Sequence, residues 1–244
     1  MAAALGLEGA LPALKILNVD YEMTPDGLSN LARALMGGTA PQLQDLGMGR
    51  IGSFNKGYDM VIIADMLEAR ASIPGCARFK SLRVGNVSWF DDASLETQIR
   101  LLRVLLPSIE RLPDLSWKRG FVNCFCEVQA PFLIDLELSP DDGSDFSWKV
   151  LEAAPALQSI EFTDNCNRDT GFLKSVSTAL QHGALQNLKH CCLEQEVRVE
   201  VGDIWEFADA LEHSVCATRL KSLRIRNCYP MEDMVRAVAG PLSR

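Results

Sequence analysis

The sequence predicts an α/β solenoid: about eight irregular strand–turn–helix repeats, with a parallel sheet lining the concave side of an arc and helices on the convex side. Three observations predict it. First, Arg78-Phe79-Lys80-Ser81-Leu82-Arg83-Val84-Gly85-Asn86 nearly recurs as Arg219-Leu220-Lys221-Ser222-Leu223-Arg224-Ile225-Arg226-Asn227, with six of nine positions identical. Second, a looser apolar pattern (apolar, two others, apolar, one other, apolar) runs through the chain. Third, between these triplets the apolar period changes from two to that of a helix. A unit of this kind cannot hide its apolar face alone, and stacked units share a core.

Eight triplets carry the strands. They are Leu14/Leu17/Val19, Leu43/Leu46/Met48, Phe79/Leu82/Val84, Leu112/Leu115/Trp117, Leu133/Leu136/Leu138, Leu157/Ile160/Phe162, Leu185/Leu188/His190 and Leu220/Leu223/Ile225. Their central residues are 29, 36, 33, 21, 24, 28 and 35 positions apart. Ala-Pro-x-Leu leads into three of them, at Ala40–Leu43, Ala130–Leu133 and Ala154–Leu157, and Leu11-Pro12-Ala13-Leu14 is close to it. Proline has a fixed φ and no N–H, so it stops an incoming helix and launches the strand.

Helical faces follow. The apolar sets are Leu28/Leu31/Ala32/Leu35, Ile62/Ile63/Met66/Leu67, Leu95/Ile99/Leu102/Leu106, Phe172/Leu173/Val176/Leu180, Ile204/Phe207/Ala208/Leu211 and Met231/Met234/Val235/Val238. Gly37-Gly38, Gly183 and Gly240-Pro241 stand where such helices end. Arg119–Ala130 and Asp141–Ala153 leave little room for a helix in the fourth and fifth units.

These units resemble leucine-rich repeats, most closely the long ribonuclease-inhibitor-like type, over residues 11–239. The family places an asparagine or cysteine three residues after the strand, and here only Asn165 and Cys228 match. That departure implies an irregular arc. The expected organisation is a single domain over 1–244, with a truncated repeat at 1–10 and no dedicated cap, as in a piece of a longer array.

Composition bounds the function. The chain has 244 residues, a net charge of −8 and 48% hydrophobic residues. An acidic balance opposes nucleic acid and anionic membranes. No apolar run reaches the about 18 residues of a membrane helix. Residues 1–8 lack the basic start of a signal peptide. The eight cysteines are therefore expected reduced, in a cytoplasmic protein, and the sequon Asn86-Val87-Ser88 is a chance triplet.

Chemical motifs yield little. Cys124-x-Cys126, Cys191-Cys192 and the three histidines lack zinc spacing. His190 and Cys191 are neighbours on a strand and point to opposite faces, so they form no catalytic pair. His182 and His213 fall near helix ends, where an imidazolium suits the carbonyl dipole. Asp141-Asp142-Gly143-Ser144-Asp145 lacks the ligand order of an EF-hand and reads as a charged turn. Gly47-Met48-Gly49-Arg50-Ile51-Gly52 matches the dinucleotide fingerprint, but no helix follows at once, so a repeat turn explains it. Trp148 and Trp205 are expected to pack in the core, as is Trp117. No cofactor, metal or catalytic residue is expected.

The expected function is a non-enzymatic scaffold that binds another protein on the concave face. Outward positions include Asn18, Asp45, Gly47, Arg83, Asp114, Ser116 and Lys118, then Asp135, Glu137, Glu161, Asn187, Lys189, Cys191, Arg224 and Arg226. The centre is acidic at Asp135, Glu137 and Glu161, with Arg83, Lys118, Lys189, Arg224 and Arg226 flanking it. Residues 127–164 hold nine acids and one base, Lys149. A partner with a basic patch would be steered there. The resemblance also admits two other roles: a GTPase-activating regulator of a small GTPase, or the substrate-recognition part of an F-box-type ubiquitin adaptor.

Overall fold

The computed structural model describes residues 11–19, 21–49, 56–84, 93–117, 120–140, 146–164, 171–195 and 200–226, with isolated positions beyond. The expected helix carrying Met231, Met234, Val235 and Val238 lies outside the described residues, as do Asn86, Trp89, Asp141–Asp145, Asn165 and Cys228. The chain divides into two compact units, Met1–Arg111 and Leu112–Arg244.

In the first unit, strands and helices alternate: β1 (Ile16–Val19), α1 (Pro25–Met36), β2 (Asp45–Met48), α2 (Lys56–Ala71), β3 (Ser81–Val84) and α3 (Leu95–Leu105). The strands pair in parallel and in chain order, with Leu17 beside Leu46 and Leu46 beside Leu82. α1 starts where Thr24 accepts the Gly27 N–H at 3.1 Å, followed at once by Pro25, a residue whose missing N–H costs nothing in a first turn. It ends at Met36 with Gly37 as its cap, and the next residue, Gly38, has a φ of 73° that suits a residue without Cβ. Leu28, Leu31, Ala32 and Leu35 are all buried. In α3 the buried face is Gln98, Leu101, Leu102 and Leu105, while Leu95 is 46% exposed. Of the expected stripe, Leu102 and Leu106 are buried and Ile99 half-buried, and only Leu95, next to the Ser94 cap, is turned outward.

In the second unit the order is β4 (Arg111–Trp117, its first residue belonging to the first unit), α4 (Phe121–Val128), β5 (Asp135–Pro140), α5 (Trp148–Glu152), β6 (Ser159–Asp164), α6 (Phe172–Gln181), β7 (His190–Gln195), α7 (Val201–His213) and β8 (Ser222–Arg226). Strands β5 to β8 are parallel neighbours in sequence order, with Leu136 beside Ile160, Ile160 beside Cys191, and Cys191 beside Leu223. The segments expected to leave little room for a helix hold short ones, of eight and five residues. Phe121 and Phe125 anchor α4, and Val150 and Leu151 anchor α5. Phe172 stacks on Phe162 with centroids 3.6 Å apart and meets Phe146 at 5.1 Å, so α6 packs on the inward face of β6.

Two backbone devices recur. Where Pro41, Pro131 and Pro155 stand, the preceding alanine carbonyl accepts the N–H three residues on, at Leu43, Leu133 and Leu157. Leu14 bonds Leu11 in the same way. Proline therefore occupies the second place of a tight turn, and Ala40, Ala130 and Ala154 are fully buried beneath it. The second device is a carbonyl that accepts two successive N–H groups from the next repeat. Lys15 takes those of Gln44 and Asp45, Gln44 those of Lys80 and Ser81, Ile134 those of Gln158 and Ser159, Gln158 those of Lys189 and His190, and Lys189 those of Lys221 and Ser222. The two near-identical nonapeptides thus use Lys80-Ser81 and Lys221-Ser222 identically. Leu82 and Leu223 both point inward at the second strand position, Leu82 buried and Leu223 half-buried.

Two expected triplets are out of register by three residues. Ser81 pairs with Arg111, so Leu112 and not Leu115 takes the place of Leu82, with Ile109 fully buried in the place of Phe79. Cys191 and Leu193 pair with Ile160 and Phe162, so the seventh triplet is Leu188/Cys191/Leu193 and His190 faces outward. The central residues become Leu17, Leu46, Leu82, Leu112, Leu136, Ile160, Cys191 and Leu223.

Candidate interaction surface

Parallel pairing in register turns alternate strand residues into rows across the sheet. In the second unit one outward row is Asp135, Ser159, His190, Ser222, and the next is Glu137, Glu161, Cys192, Arg224. Asp135 and Glu137 are half-buried, while Glu161, His190 and Arg224 are exposed. The inward residues Leu136, Leu138, Ile160, Phe162, Cys191 and Leu193 are buried. Packing thus holds the backbone that presents the charged rows.

Glu137 and Glu161 stand directly opposite each other on adjacent strands. Arg224, two strands beyond Glu161 in the same row, ends the acidic stretch.

The first unit presents a different row, Asn18, Gly47, Arg83. Arg83 Nη2 donates to Asn18 Oδ1 at 3.1 Å, passing over Gly47. A Cβ on Gly47 would run into Asn18 Oδ1, so the glycine makes room for the bridge. That close approach, rather than a phosphate turn, accounts for the second-strand glycine of the Gly47–Gly52 stretch.

The remaining expected contact residues divide. Arg83 is exposed on β3 and Arg224 on β8. Lys189 is displaced: it precedes β7, and its Nζ donates to Gln158 Oε1 at 2.7 Å instead of joining an outward row. His190, Cys192 and Glu194 take the outward positions expected of Asn187, Lys189 and Cys191. Their signal was the alternation Cys191/Leu193, legible once cysteine counts as apolar. Arg226 ends β8 opposite Glu194 in backbone register, but its side chain lies outside the described residues, as does Lys118. The side chains of Asp114, Ser116 and Trp117 also lie outside them.

Among the described residues, Cys76, Cys124, Cys126, Cys191, Cys192 and Cys216 form no disulfide. Burial pushes the Cys191 thiol up to about 12, with Cys192 and Cys216 adding to it. That opposes a nucleophilic role. His190 is exposed and Cys191 buried, so the neighbours do point apart. His213 Nδ1 lies 2.9 Å from the Asp209 carbonyl at the end of α7. Trp148 is half-buried and stacks on His182, centroids 4.7 Å apart and 8° from parallel. Trp205, expected in the core, is instead 49% exposed, because Ile204, Phe207, Ala208 and Leu211 already form the buried face of α7.

Among the described residues, no cluster of His, Cys, Asp or Glu could hold a metal ion, and no helix is long and apolar enough to cross a membrane. The chain matches no protein-family model and no curated protein.

Proposed function

We propose that the chain is an interaction module, built of leucine-rich repeats of the ribonuclease-inhibitor-like type, that docks a protein bearing a basic patch against Asp135, Glu137 and Glu161. The observation that carries this reading is the facing pair Glu137 and Glu161. A lysine or arginine of a partner placed over this row would gain charge-assisted hydrogen bonds to two neighbouring carboxylates. The acidic stretch would also accelerate encounter with a cationic surface. The outward rows of β5, β6 and β7 form a platform held from beneath by a packed core, which limits the reordering that binding demands.

Affinity capture with the wild-type chain, beside Asp135→Lys/Glu137→Lys/Glu161→Lys, tests it. Glu152→Lys, an exposed change on α5, controls for charge alone. The reading expects a captured protein that is retained by the control, lost by the triple variant and released by rising salt. Retention of every captured protein by the triple variant overturns it.

A further inference from the structure

The outward row Glu137, Glu161, Cys192, Arg224 is acidic only on one side: from β5 to β8 it runs acid, acid, thiol, base. Glu161 and Arg224 are exposed, whereas Cys192 between them is half-buried. A short side chain thus floors the row where two long charged ones flank it. Among the described residues, neither Glu161 nor Arg224 belongs to an ion pair. Both charges are open to a partner, and their opposite signs give the row a direction.

Main-chain pairing sets the separation of the two charges. Glu161 pairs with Cys192, and Cys192 with Arg224. Their backbones therefore stand two strand spacings apart, about 9.6 Å. Few chain conformations show one face at that interval. An extended strand does so at alternate residues, about 6.6 Å and then about 13 Å along, and misses on both sides. An α-helix returns its face after one turn of about 5.4 Å and two of about 10.8 Å. Polyproline II returns it every three residues, about 9.3 Å along, which is the nearest match.

We propose that the segment docking on this row is a polyproline II stretch of another protein in which a lysine or arginine and an aspartate or glutamate stand three residues apart. The base lies over Glu137 and Glu161, the acid over Arg224, and the residues between them over Cys192. The inference rests on the acidic rows serving as the docking surface, and it adds that the partner is dipolar there. Each end gains a charge-assisted hydrogen bond. A polyproline stretch is already ordered before it binds, so it loses little freedom on docking. Reversed placement would set like charges together, which fixes the orientation.

The probe is the synthetic peptide Pro-Pro-Arg-Pro-Pro-Glu-Pro-Pro, titrated at low salt into the 15N-labelled full chain. Amide shifts are expected on β6, β7 and β8. The peptide is expected to bind about two- to fivefold more tightly than its glutamine-for-glutamate counterpart, the worth of one exposed ion pair. It should hold a similar lead over peptides with the glutamate two, four or seven residues from the arginine. Arg224→Gln, an exposed change, is expected to erase both leads. Equal binding of the glutamate and glutamine peptides, or a lead that survives Arg224→Gln, overturns the inference and leaves the basic-patch reading standing. A best spacing other than three overturns the polyproline geometry. Shifts with no peptide also overturn the inference, while affinity capture with the triple variant judges the basic-patch reading separately.

Discussion

Arg83 and Asn18 are 65 positions apart, yet their side chains are hydrogen-bonded at 3.1 Å across the strand that separates them. The bridge exists because Gly47, between them, has no side chain. In a double-mutant cycle, Asn18→Ala and Arg83→Ala are expected to couple by about 0.5–1.5 kcal/mol, the net worth of one hydrogen bond. The same cycle in a Gly47→Ala background is expected to give no coupling, since Asn18 must swing aside. Urea denaturation measures both, and equal coupling in the two backgrounds contradicts the geometry.

Glu161 is exposed and directly faces Glu137. Glu161→Lys places opposite charges at these two facing strand positions. The variant is expected to be more stable than wild type by about 0.2–1 kcal/mol, and the gain should shrink as salt is raised. Denaturant midpoints at low and high salt check it. A substitution that stabilises the free chain and removes its partner would mark the pair as functional and not architectural.

Phe172 stacks on Phe162 and is 1% exposed. Phe172→Ala is expected to cost about 3–5 kcal/mol through lost burial and the cavity left behind. Phe132→Ala, at a residue 58% exposed, is expected to stay within about 0.5 kcal/mol. Thermal or denaturant unfolding of the two variants compares them directly.

The thiols should differ in reactivity by burial. Cys126 is exposed, whereas the Cys191 thiol is fully enclosed and pushed up to about 12. Iodoacetamide at pH 8, read by mass spectrometry, is expected to label Cys126 rapidly and Cys191 only after unfolding. The sign for stability follows. The folded pKa lies above the unfolded 9.0, so the contribution of Cys191 is intact below pH 9 and falls away as pH rises toward 12. Cys191→Ala is expected to flatten that alkaline loss.

The repeat architecture was legible because the inward residues of six strands keep both their spacing and their apolar character. The two misplaced strands fail for a common reason. A rule that asks for apolar residues three apart is satisfied equally by Leu112/Leu115 and Ile109/Leu112, and by Leu185/Leu188 and Leu188/Cys191, so the register can slide. What decides it is the main-chain pairing of Ser81 with Arg111 and of Ile160 with Cys191, which leaves no trace in side-chain type. The acidic rows were legible where the register was, at Asp135, Glu137 and Glu161, and misjudged where it slid, at Lys189. The burial of Arg70, on α2, was not legible, since the carbonyls of Ala40, Pro41 and Leu43 that receive its guanidinium lie about thirty positions earlier in the chain.

The carbonyl that accepts two amides ahead of five of the strands gives those joints a particular tolerance. Lysine, glutamine and isoleucine all serve there, because only the peptide group takes part. Mutation can therefore overwrite the surface of one module without unfastening it from the next. For an engineer, a spare module spliced between Gln158 and Lys189 would need an amide pair on one side and an oxygen on the other, and would part the Lys189–Gln158 side-chain bond.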